Sequence, residues 1–268
     1  DGYKHACRGC QYLDSLKVDL STAVQAQKNK LYTLHPDIQF VAVSNWLAGC
    51  CRESRLLRKM PVTVIPNAMD AGRFRWERQH GGNLGIADGK TVIAMGAARL
   101  DDSIKGFDLL IDATRCLRQS RPDVADKLHL VLFGNIRDRS LLDRLSVGYT
   151  YVGEVKGIEA LVNIYTQADI VLSTSRFETL PGTLVEGMAC GCIPVAFDSG
   201  GQADIVDHLS TGYLAPAVEP EAMAEAMAWA AGATIDRKLL HDTAARKFDA
   251  PVIARQYIGL CERLLEKY

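Results

Sequence analysis

The chain has 268 residues, of which 48% are hydrophobic and 24% are charged. This composition predicts a soluble globular protein of one or two domains with ample material for a core. The net charge of −1 argues against a general attraction to nucleic acid or anionic membranes, and no apolar run is long enough to predict a membrane-spanning helix.

The first part of the chain predicts a short set of elements followed by a polar connection. The predicted elements are a helix within residues 15–34, a strand at 38–44, a helix at 46–57 and a strand at 62–67. Ser44 precedes the second helix and can cap its first turn. Residues 71–90 are polar and lack periodicity, so they predict a linker.

From residue 90 onward the sequence alternates between strand and helix patterns. Strands are predicted at 91–98, 128–133, 149–153, 169–175 and 193–197, and helices at 107–117, 138–146, 157–167, around Glu186, and at 203–208, 220–232, 236–247 and 252–265. Pro251 is predicted to end the helix at 236–247. The alternation predicts an α/β fold with a Rossmann-like parallel sheet and helices on both of its faces.

Two carboxylates follow the apolar strand at 169–175. Glu178 falls in the loop after that strand, Pro181 suits the first turn of the next helix, and Glu186 falls inside that helix near its start. In an open α/β sheet, ligands bind at the carboxyl ends of the strands. Two carboxylates at that edge can each accept hydrogen bonds from a pair of neighbouring hydroxyls, such as those of ribose or a hexose.

The cysteines favour ordinary thiols over a metal site. Cys7 and Cys10 form a Cys-x2-Cys pair, which is half of a zinc site, but no second pair follows at a usual spacing. Free thiols or a disulfide are therefore favoured there over a metal. The cysteines in segments predicted to be helical or buried, and expected to be free, are Cys50, Cys51, Cys190 and Cys192.

The spacing Glu178-x7-Glu186, with Ala-Cys-Gly-Cys-Ile-Pro-Val and the segment 198–206 behind it, resembles the retaining glycosyltransferases of family 4, the glycosyl transferases group 1. The resemblance runs from about residue 62 to residue 213. It implies the two-domain GT-B fold and a nucleoside diphosphate sugar as donor. It also implies a domain plan: the end of an acceptor-side N-terminal domain at 1–70, a linker at 71–89, a donor-binding domain at 90–250, and a C-terminal helix at 251–268 that crosses back to the first domain.

The resemblance assigns the catalytic roles to three residues. Arg99 and Lys105 match the family's Gly-Arg-Leu…Lys-Gly pattern and would hold the donor pyrophosphate. Fixed cations there stabilise the charge that builds on the leaving group as the sugar–phosphate bond breaks. Glu178 corresponds to the carboxylate near the donor sugar.

The resemblance also assigns the binding roles. Glu186 corresponds to the carboxylate that accepts hydrogen bonds from the ribose hydroxyls, and Gly182 and Thr183 would supply N–H donors at the helix start. Val152 and Gly153 match the segment whose backbone meets the nucleobase. Many family members have Gly where Pro181 stands, and Pro181 has no N–H to donate.

The predicted activity is transfer of a hexose, with retention, from a UDP- or GDP-linked donor to the hydroxyl of a saccharide or a lipid-linked acceptor. No metal or cofactor is expected, because no Asp-x-Asp motif follows a strand and Asp101-Asp102 is interpreted as a solvated loop pair. No Gly-x-Gly-x-x-Gly follows a predicted strand, which disfavours a nicotinamide or flavin site. A cytoplasmic location is expected, with contact to the inner membrane face left open.

Two alternatives stand beside the transferase. The chain starts at Asp1 rather than Met, so we expect a fragment or a processed product. Residues 1–70 predict only two strands, apolar on both faces, which cannot form an independent core. The first alternative is therefore a donor-binding module that holds the nucleotide-sugar and transfers little or no sugar; the second, more distant, is a sugar-nucleotide epimerase.

Overall fold

The computed structural model describes residues 2–5, 20–78 and 84–266, so the Cys7–Cys10 pair lies outside the described residues. The contacts divide the chain into two compact units, Asp1–Pro66 and Asn67–Tyr268. In the part of the chain that the structure describes, no helix combines the length and apolar character needed to cross a membrane.

Among its described residues, the first unit contains two α-helices, a pair of parallel strands and a 3-10 helix at Gly2–Lys4. Its elements are α1 (Ser21–Leu34), β1 (Phe40–Ala42), α2 (Asn45–Glu53) and β2 (Val62–Val64). The predicted cap is confirmed, since Ser44 Oγ accepts a hydrogen bond from the backbone N–H of Leu47 at 3.2 Å. The helix is shorter than predicted because Ser54 takes an extended conformation. Burial of β1 on both faces is not observed: Val41 is exposed and Ala42 is buried.

The second unit is built on a six-stranded parallel sheet, which confirms the predicted fold class. Its strands are β3 (Thr91–Arg99), β4 (Leu128–Asn135), β5 (Gly148–Gly153), β6 (Ile170–Ser173), β7 (Ile193–Phe197) and β8 (Tyr213–Ala215), in the order β5-β4-β3-β6-β7-β8. The strands β6 and β7 are buried throughout, as expected for strands covered on both faces. The three-residue strand β8 was not predicted.

Helices cover the sheet, and they differ from the prediction in two elements and in the position of Pro251. They are α3 (Phe107–Ser120), α4 (Pro122–Lys127), α5 (Ile158–Gln167), α6 (Gly182–Ala189), α7 (Pro220–Gly232), α8 (Arg237–Phe248) and α9 (Ala250–Leu265). The predicted helices at 138–146 and 203–208 are instead short 3-10 helices, Arg139–Arg144 and Gly201–Asp204. Pro251 does not end a helix; it lies in the first turn of α9, where a missing N–H costs nothing.

The strand order creates a switch point between β3 and β6. From β3 the chain proceeds outward through β4 to β5, and it then returns to the other side of β3 to build β6, β7 and β8. The loops after β3 and β6 therefore leave the sheet in opposite directions, which opens a crevice at their carboxyl ends. A register shift between Gly96 and Arg99 bends the end of β3 at this point.

The segment that follows the first unit is held on the second unit. The backbone N–H of Met69 donates to the carbonyl of Phe248 at 2.8 Å, and the N–H of Ala250 donates to the carbonyl of Met69 at 2.8 Å. Met69 and Phe74 are both buried. Met69, two residues before the predicted linker, is therefore fixed at the junction of α8 and α9.

Two of the predicted free thiols lie in the core beside α6. Cys190 and Cys192 are fully buried and unpaired with any other cysteine. Cys192 Sγ donates to the carbonyl oxygen of Tyr165 at 3.1 Å. Burial raises the pKa of the Cys192 thiol to about 12.

Candidate functional site

A cavity of about 170 Å³ occupies the crevice at the switch point. Its walls come from the end of β3, the turn before α3, the loop after β6 and the start of α6. The lining residues are Met95, Gly96, Ala97, Ala98, Lys105, Leu172, Ser173, Ser175, Glu178, Leu180, Pro181, Gly182 and Thr183. Four of the predicted site residues therefore meet at one cavity, namely Lys105, Glu178, Gly182 and Thr183.

Lys105 is placed by a turn that the local sequence specifies. Asp102 caps a 3-10 helix, Ser103–Lys105, by accepting a hydrogen bond from the N–H of Ile104 at 3.1 Å. Gly106 ends the turn in the left-handed conformation, with φ of 65°. This geometry directs the ammonium group of Lys105 to an ion pair with Glu178 Oε1.

Gly106 is expected to be intolerant of a side chain. A Cβ atom there would lie 2.1 Å from the backbone oxygen of Thr174. Gly106→Ala should therefore destabilise the protein by about 2–4 kcal/mol, from backbone strain and overpacking together. Urea unfolding followed by circular dichroism measures the effect. The matched control is Gly85→Ala, since Gly85 has a φ of 63° and open space around it; equal losses for both variants would contradict the steric explanation.

Glu178 is fixed through both its side chain and its backbone. Its Oε1 atom accepts hydrogen bonds from Lys105 Nζ and, at 3.0 Å, from Ser175 Oγ. Its backbone oxygen accepts from the N–H of Gly201 at 2.8 Å. The side chain of Glu178 is 19% exposed. The carboxylate is thus held at the cavity wall with part of its surface open to a ligand.

Glu186 lies further along its helix than predicted. It is the fifth residue of the eight-residue helix α6, and its Oε2 accepts a hydrogen bond from the hydroxyl of Tyr165 at 3.3 Å. Its Oε1 lies 3.8 Å from the position that a side chain at Gly182 would take. Burial raises the pKa of the Glu186 carboxyl, and the Tyr165 hydrogen bond offsets part of that rise.

The raised pKa of Glu186 makes its charge a cost to folding. The folded protein retains the carboxyl proton above the ordinary pKa of 4.5, whereas the unfolded chain releases it. The contribution of protonated Glu186 to the free energy of unfolding is therefore complete below pH 4.5 and is lost as the pH rises. Glu186→Gln should therefore stabilise the protein at pH 8 by about 0.5–2 kcal/mol, and the gain should vanish near pH 4. Urea unfolding at both pH values checks this. A gain that is equal at both values would show that ionisation is not its cause.

The start of α6 offers backbone donors to the cavity. Pro181 lies at the N-cap position with an extended conformation, just before the first turn in which it was predicted. The first N–H groups of a helix have no acceptor within the helix, and the helix dipole favours an anion beside them. Because Gly182 and Thr183 line the cavity, this end of α6 can receive an anionic group.

Arg99 lies at the end of β3 and is engaged by two aspartates. Its Nη2 donates to Asp102 Oδ2 at 2.8 Å, and its Nε lies 3.7 Å from Asp101 Oδ1. Arg99 is not among the residues that line the cavity. Arg99 therefore follows the lining residue Ala98 in the chain, but its guanidinium is paired with aspartates and does not join Lys105 in the cavity wall.

Asp101 is not the solvated loop residue that was predicted. Its side chain is 11% exposed and accepts hydrogen bonds from the N–H groups of Arg137 at 2.9 Å and Asp138 at 3.3 Å. Although burial acts in the opposite direction, these donors hold the pKa of the Asp101 carboxyl below its ordinary value. Asp101 thus joins the loops after β3 and β4.

Val152 and Gly153 lie at the carboxyl end of β5, the edge strand of the sheet, two strands away from β3. Val152 is exposed, and Gly153 has a φ of 81°. Neither residue lines the cavity. They share the ligand-binding edge of the sheet with the cavity but are separated from it by β4.

Sequence reasoning missed two side chains that hold the carboxylates. Ser175 stands three residues before Glu178 in the loop after a strand. A short-range hydrogen bond between the two side chains could therefore have been predicted from the sequence. Tyr165 gave no such signal, because it lies on α5, a different element from Glu186. The pairing of Lys105 with Glu178 spans 73 residues and was likewise not predicted.

Comparison with known proteins identifies the family. Residues 89–232 match the family model described as glycosyl transferases group 1. The chain belongs to this family. Over 143 residues it is 30% identical to a GDP-mannose-dependent alpha-mannosyltransferase of Mycolicibacterium smegmatis, covering 53% of this chain and 36% of the relative.

Another curated relative is similar over a longer stretch. Over 207 residues the chain is 28% identical to a phosphatidyl-myo-inositol mannosyltransferase of Mycobacterium tuberculosis, covering 74% of this chain and 53% of the relative. The chain thus spans about half the length, or less, of these curated relatives.

Solved structures share the fold. A glycosyltransferase from Rickettsia africae superposes with a TM-score of 0.74 at 17% identity, covering 92% of this chain and 68% of that one. Anabaena Alr3699/HepE, solved in complex with UDP and glucose, superposes with a TM-score of 0.68 at 20% identity, covering 92% and 70%. These likenesses support the GT-B type of Rossmann-like fold.

Proposed function

We propose that the chain is a retaining glycosyltransferase of family 4 that moves a hexose from a nucleoside diphosphate sugar to an acceptor hydroxyl. The observation that carries the proposal is the pairing of Lys105 with Glu178 at a cavity that also receives the first turn of α6. A cation, a carboxylate and free helix N–H groups in one crevice suit a ligand with both phosphates and hydroxyls.

Lys105 and the start of α6 would bind the diphosphate. Lys105 supplies a mobile point charge, and the N–H groups of Gly182 and Thr183 supply donors favoured by the helix dipole. When the sugar–phosphate bond breaks, negative charge on the leaving group increases. These groups then stabilise the transition state more than the ground state, which is the condition for acceleration.

The two carboxylates would divide the hydroxyl contacts of the donor. Glu178 faces the cavity beside Lys105 and would contact the hexose close to the bond that breaks. Glu186 lies one helix turn beyond Gly182, with its Oε2 turned to Tyr165, and would accept hydrogen bonds from the ribose diol through Oε1. The donor phosphate itself would help to deprotonate the acceptor hydroxyl.

Arg99, Val152 and Gly153 would complete the donor site at its margins. Arg99 would act as the second cation on the pyrophosphate, from the rim where Asp101 and Asp102 hold it. The backbone at Val152 and Gly153 would meet the nucleobase at the same edge of the sheet. All three assignments follow the family resemblance and are proposals for this chain.

The donor is proposed to be UDP- or GDP-linked. One relative is named for GDP-mannose and one structural neighbour holds UDP and glucose, which supports both nucleotides as candidates. The acceptor is proposed to be a saccharide or a lipid-linked hydroxyl in polysaccharide or glycolipid synthesis, on the cytoplasmic side of a membrane. A relative named for phosphatidyl-myo-inositol supports the lipid-linked case.

Two measurements test this function. Calorimetry with UDP and GDP determines whether the chain binds a nucleoside diphosphate, and the absence of binding to both would overturn the proposal. Incubation with the matching nucleotide-sugars and a panel of acceptors, with NMR of the product, determines the stereochemistry. An anomeric configuration inverted relative to the donor would refute the retaining mechanism.

The alternative function is a module that binds the nucleotide-sugar without transferring it. The observation that favours it is the size of the sheet in Asp1–Pro66, which has two strands among the described residues. The transfer assay on this chain decides between the two functions. Turnover of the nucleotide-sugar would exclude the binding-only module, whereas binding without turnover would support it.

A further inference from the structure

Arg176 joins the loop after β6 to the turn that carries Lys105. Its Nη1 donates to the carbonyl oxygen of Ser103 at 2.6 Å, and its guanidinium forms two hydrogen bonds with the Asp108 carboxylate at 3.0 and 2.6 Å. The backbone N–H of Arg176 also donates to the carbonyl oxygen of Ile104 at 2.8 Å. One residue therefore contacts the segment 103–108 on both sides of Lys105.

The neighbouring residue Thr174 strengthens the same connection. Its Oγ1 donates to the carbonyl oxygen of Lys105 at 3.0 Å, and its backbone oxygen lies close against Gly106. The two loops are thus fixed to each other at three consecutive residues, Ile104 to Gly106. Glu178 stands only two positions after Arg176 in the second of these loops.

We propose that Arg176 is a positioning residue that holds the turn 103–106 against the loop 174–178 and so places the Lys105 ammonium at the cavity. This inference rests on the proposed function, because it assumes that Lys105 binds the diphosphate. Arg176 itself is turned to Asp108 and Ser103 and does not line the cavity. It acts on the ligand through Lys105.

The ion pair between Arg176 and Asp108 is too exposed to contribute much to stability, so a positioning role can be tested without unfolding the protein. The side chains of Arg176 and Asp108 are 38% and 61% exposed, and ion pairs this exposed contribute little to folding. The planar guanidinium is rigid, however, and its paired hydrogen bonds fix direction as well as distance. Removing the guanidinium should leave the fold intact, but the Lys105 ammonium should no longer be held at the cavity.

A double-mutant cycle tests the proposal with UDP or GDP, whichever binds more tightly. We expect Arg176→Ala to lower the affinity by about tenfold, which is part of the loss expected when the charge-assisted contact of Lys105 is removed altogether. In a Lys105→Met background the same change should have almost no effect, because the group that Arg176 places is gone. Arg176→Lys should recover only part of the loss.

Arg118→Ala is the matched control. Arg118 also bridges a backbone carbonyl, that of Ser146 at 3.0 Å, and a carboxylate, that of Asp126, and its side chain is 37% exposed. It lies away from the cavity, so its loss should leave nucleotide affinity unchanged. Thermal unfolding of both alanine variants should agree within a few degrees.

The outcomes separate this inference from the proposed function. If Lys105→Met alone leaves nucleotide affinity unchanged, the proposed function fails. If Lys105→Met weakens binding but Arg176→Ala does not, only the positioning role of Arg176 is refuted. Additive effects in the double variant would likewise refute positioning, because they would mean that Arg176 acts independently of Lys105.

Discussion

Glu178→Gln should lower sugar transfer by about 10²–10³-fold while leaving the binding of UDP or GDP unchanged or tighter. Glutamine keeps the shape of the side chain but removes the charge that strengthens hydrogen bonds to the sugar hydroxyls. It also releases Lys105 from its ion pair, so the ammonium is free for the diphosphate. Transfer rates measure the first effect, and calorimetry with the free nucleotide measures the second. If the unmodified chain transfers no sugar, the affinity for the nucleotide-sugar is measured in place of the transfer rate.

Glu186→Gln provides the contrast for that experiment. It should weaken the binding of UDP or GDP, which carry a ribose diol, and it should have little effect on the binding of their 2′,3′-dideoxy analogues. The division of labour between the carboxylates is wrong if Glu178→Gln weakens the free nucleotide as much as Glu186→Gln does.

Lys105→Met should weaken nucleoside diphosphate binding by about 1.5–3 kcal/mol, the range for hydrogen bonds to charged groups. Methionine retains much of the apolar stem and removes the charge that lies at the cavity wall. Arg99→Ala should act in the same direction, because Arg99 is proposed to hold the same pyrophosphate from the rim. Calorimetry with UDP and GDP on each variant gives the affinities. Unchanged affinity in Lys105→Met would contradict the proposed function, because Lys105 would then not bind the diphosphate.

Much of the fold was predictable because its signals are periodic and repeated. The apolar runs that became β4, β6 and β7 are buried on both faces, so composition alone marks them. The strand β8 has three residues, which is too short for any period to show. The spacing of Leu141, Leu142 and Leu145 suits both an α-helix and a 3-10 helix, so the pattern could not distinguish the two at Arg139–Arg144.

Part of the cavity lining was predictable from the local sequence, but the arrangement of its side chains was not. Glu178 was placed at the ligand edge because it follows a buried strand, and that rule needs only the local sequence. Its ion pair with Lys105 depends on β3 and β6 being neighbours, a consequence of strand order that local sequence does not contain. Pro251 shows a related ambiguity, since proline is compatible with both the end of one helix and the first turn of the next.

The buried thiols beside α6 bear on how the protein responds to oxidants. With a pKa of about 12, Cys192 holds essentially no thiolate at pH 7, and thiolate is the form that peroxides and alkylating reagents attack. Burial raises the pKa of Cys190 in the same way. Cys190 and Cys192 are therefore expected to react slowly with oxidants, so we expect oxidation of these two thiols to have little effect on the neighbouring helix α6.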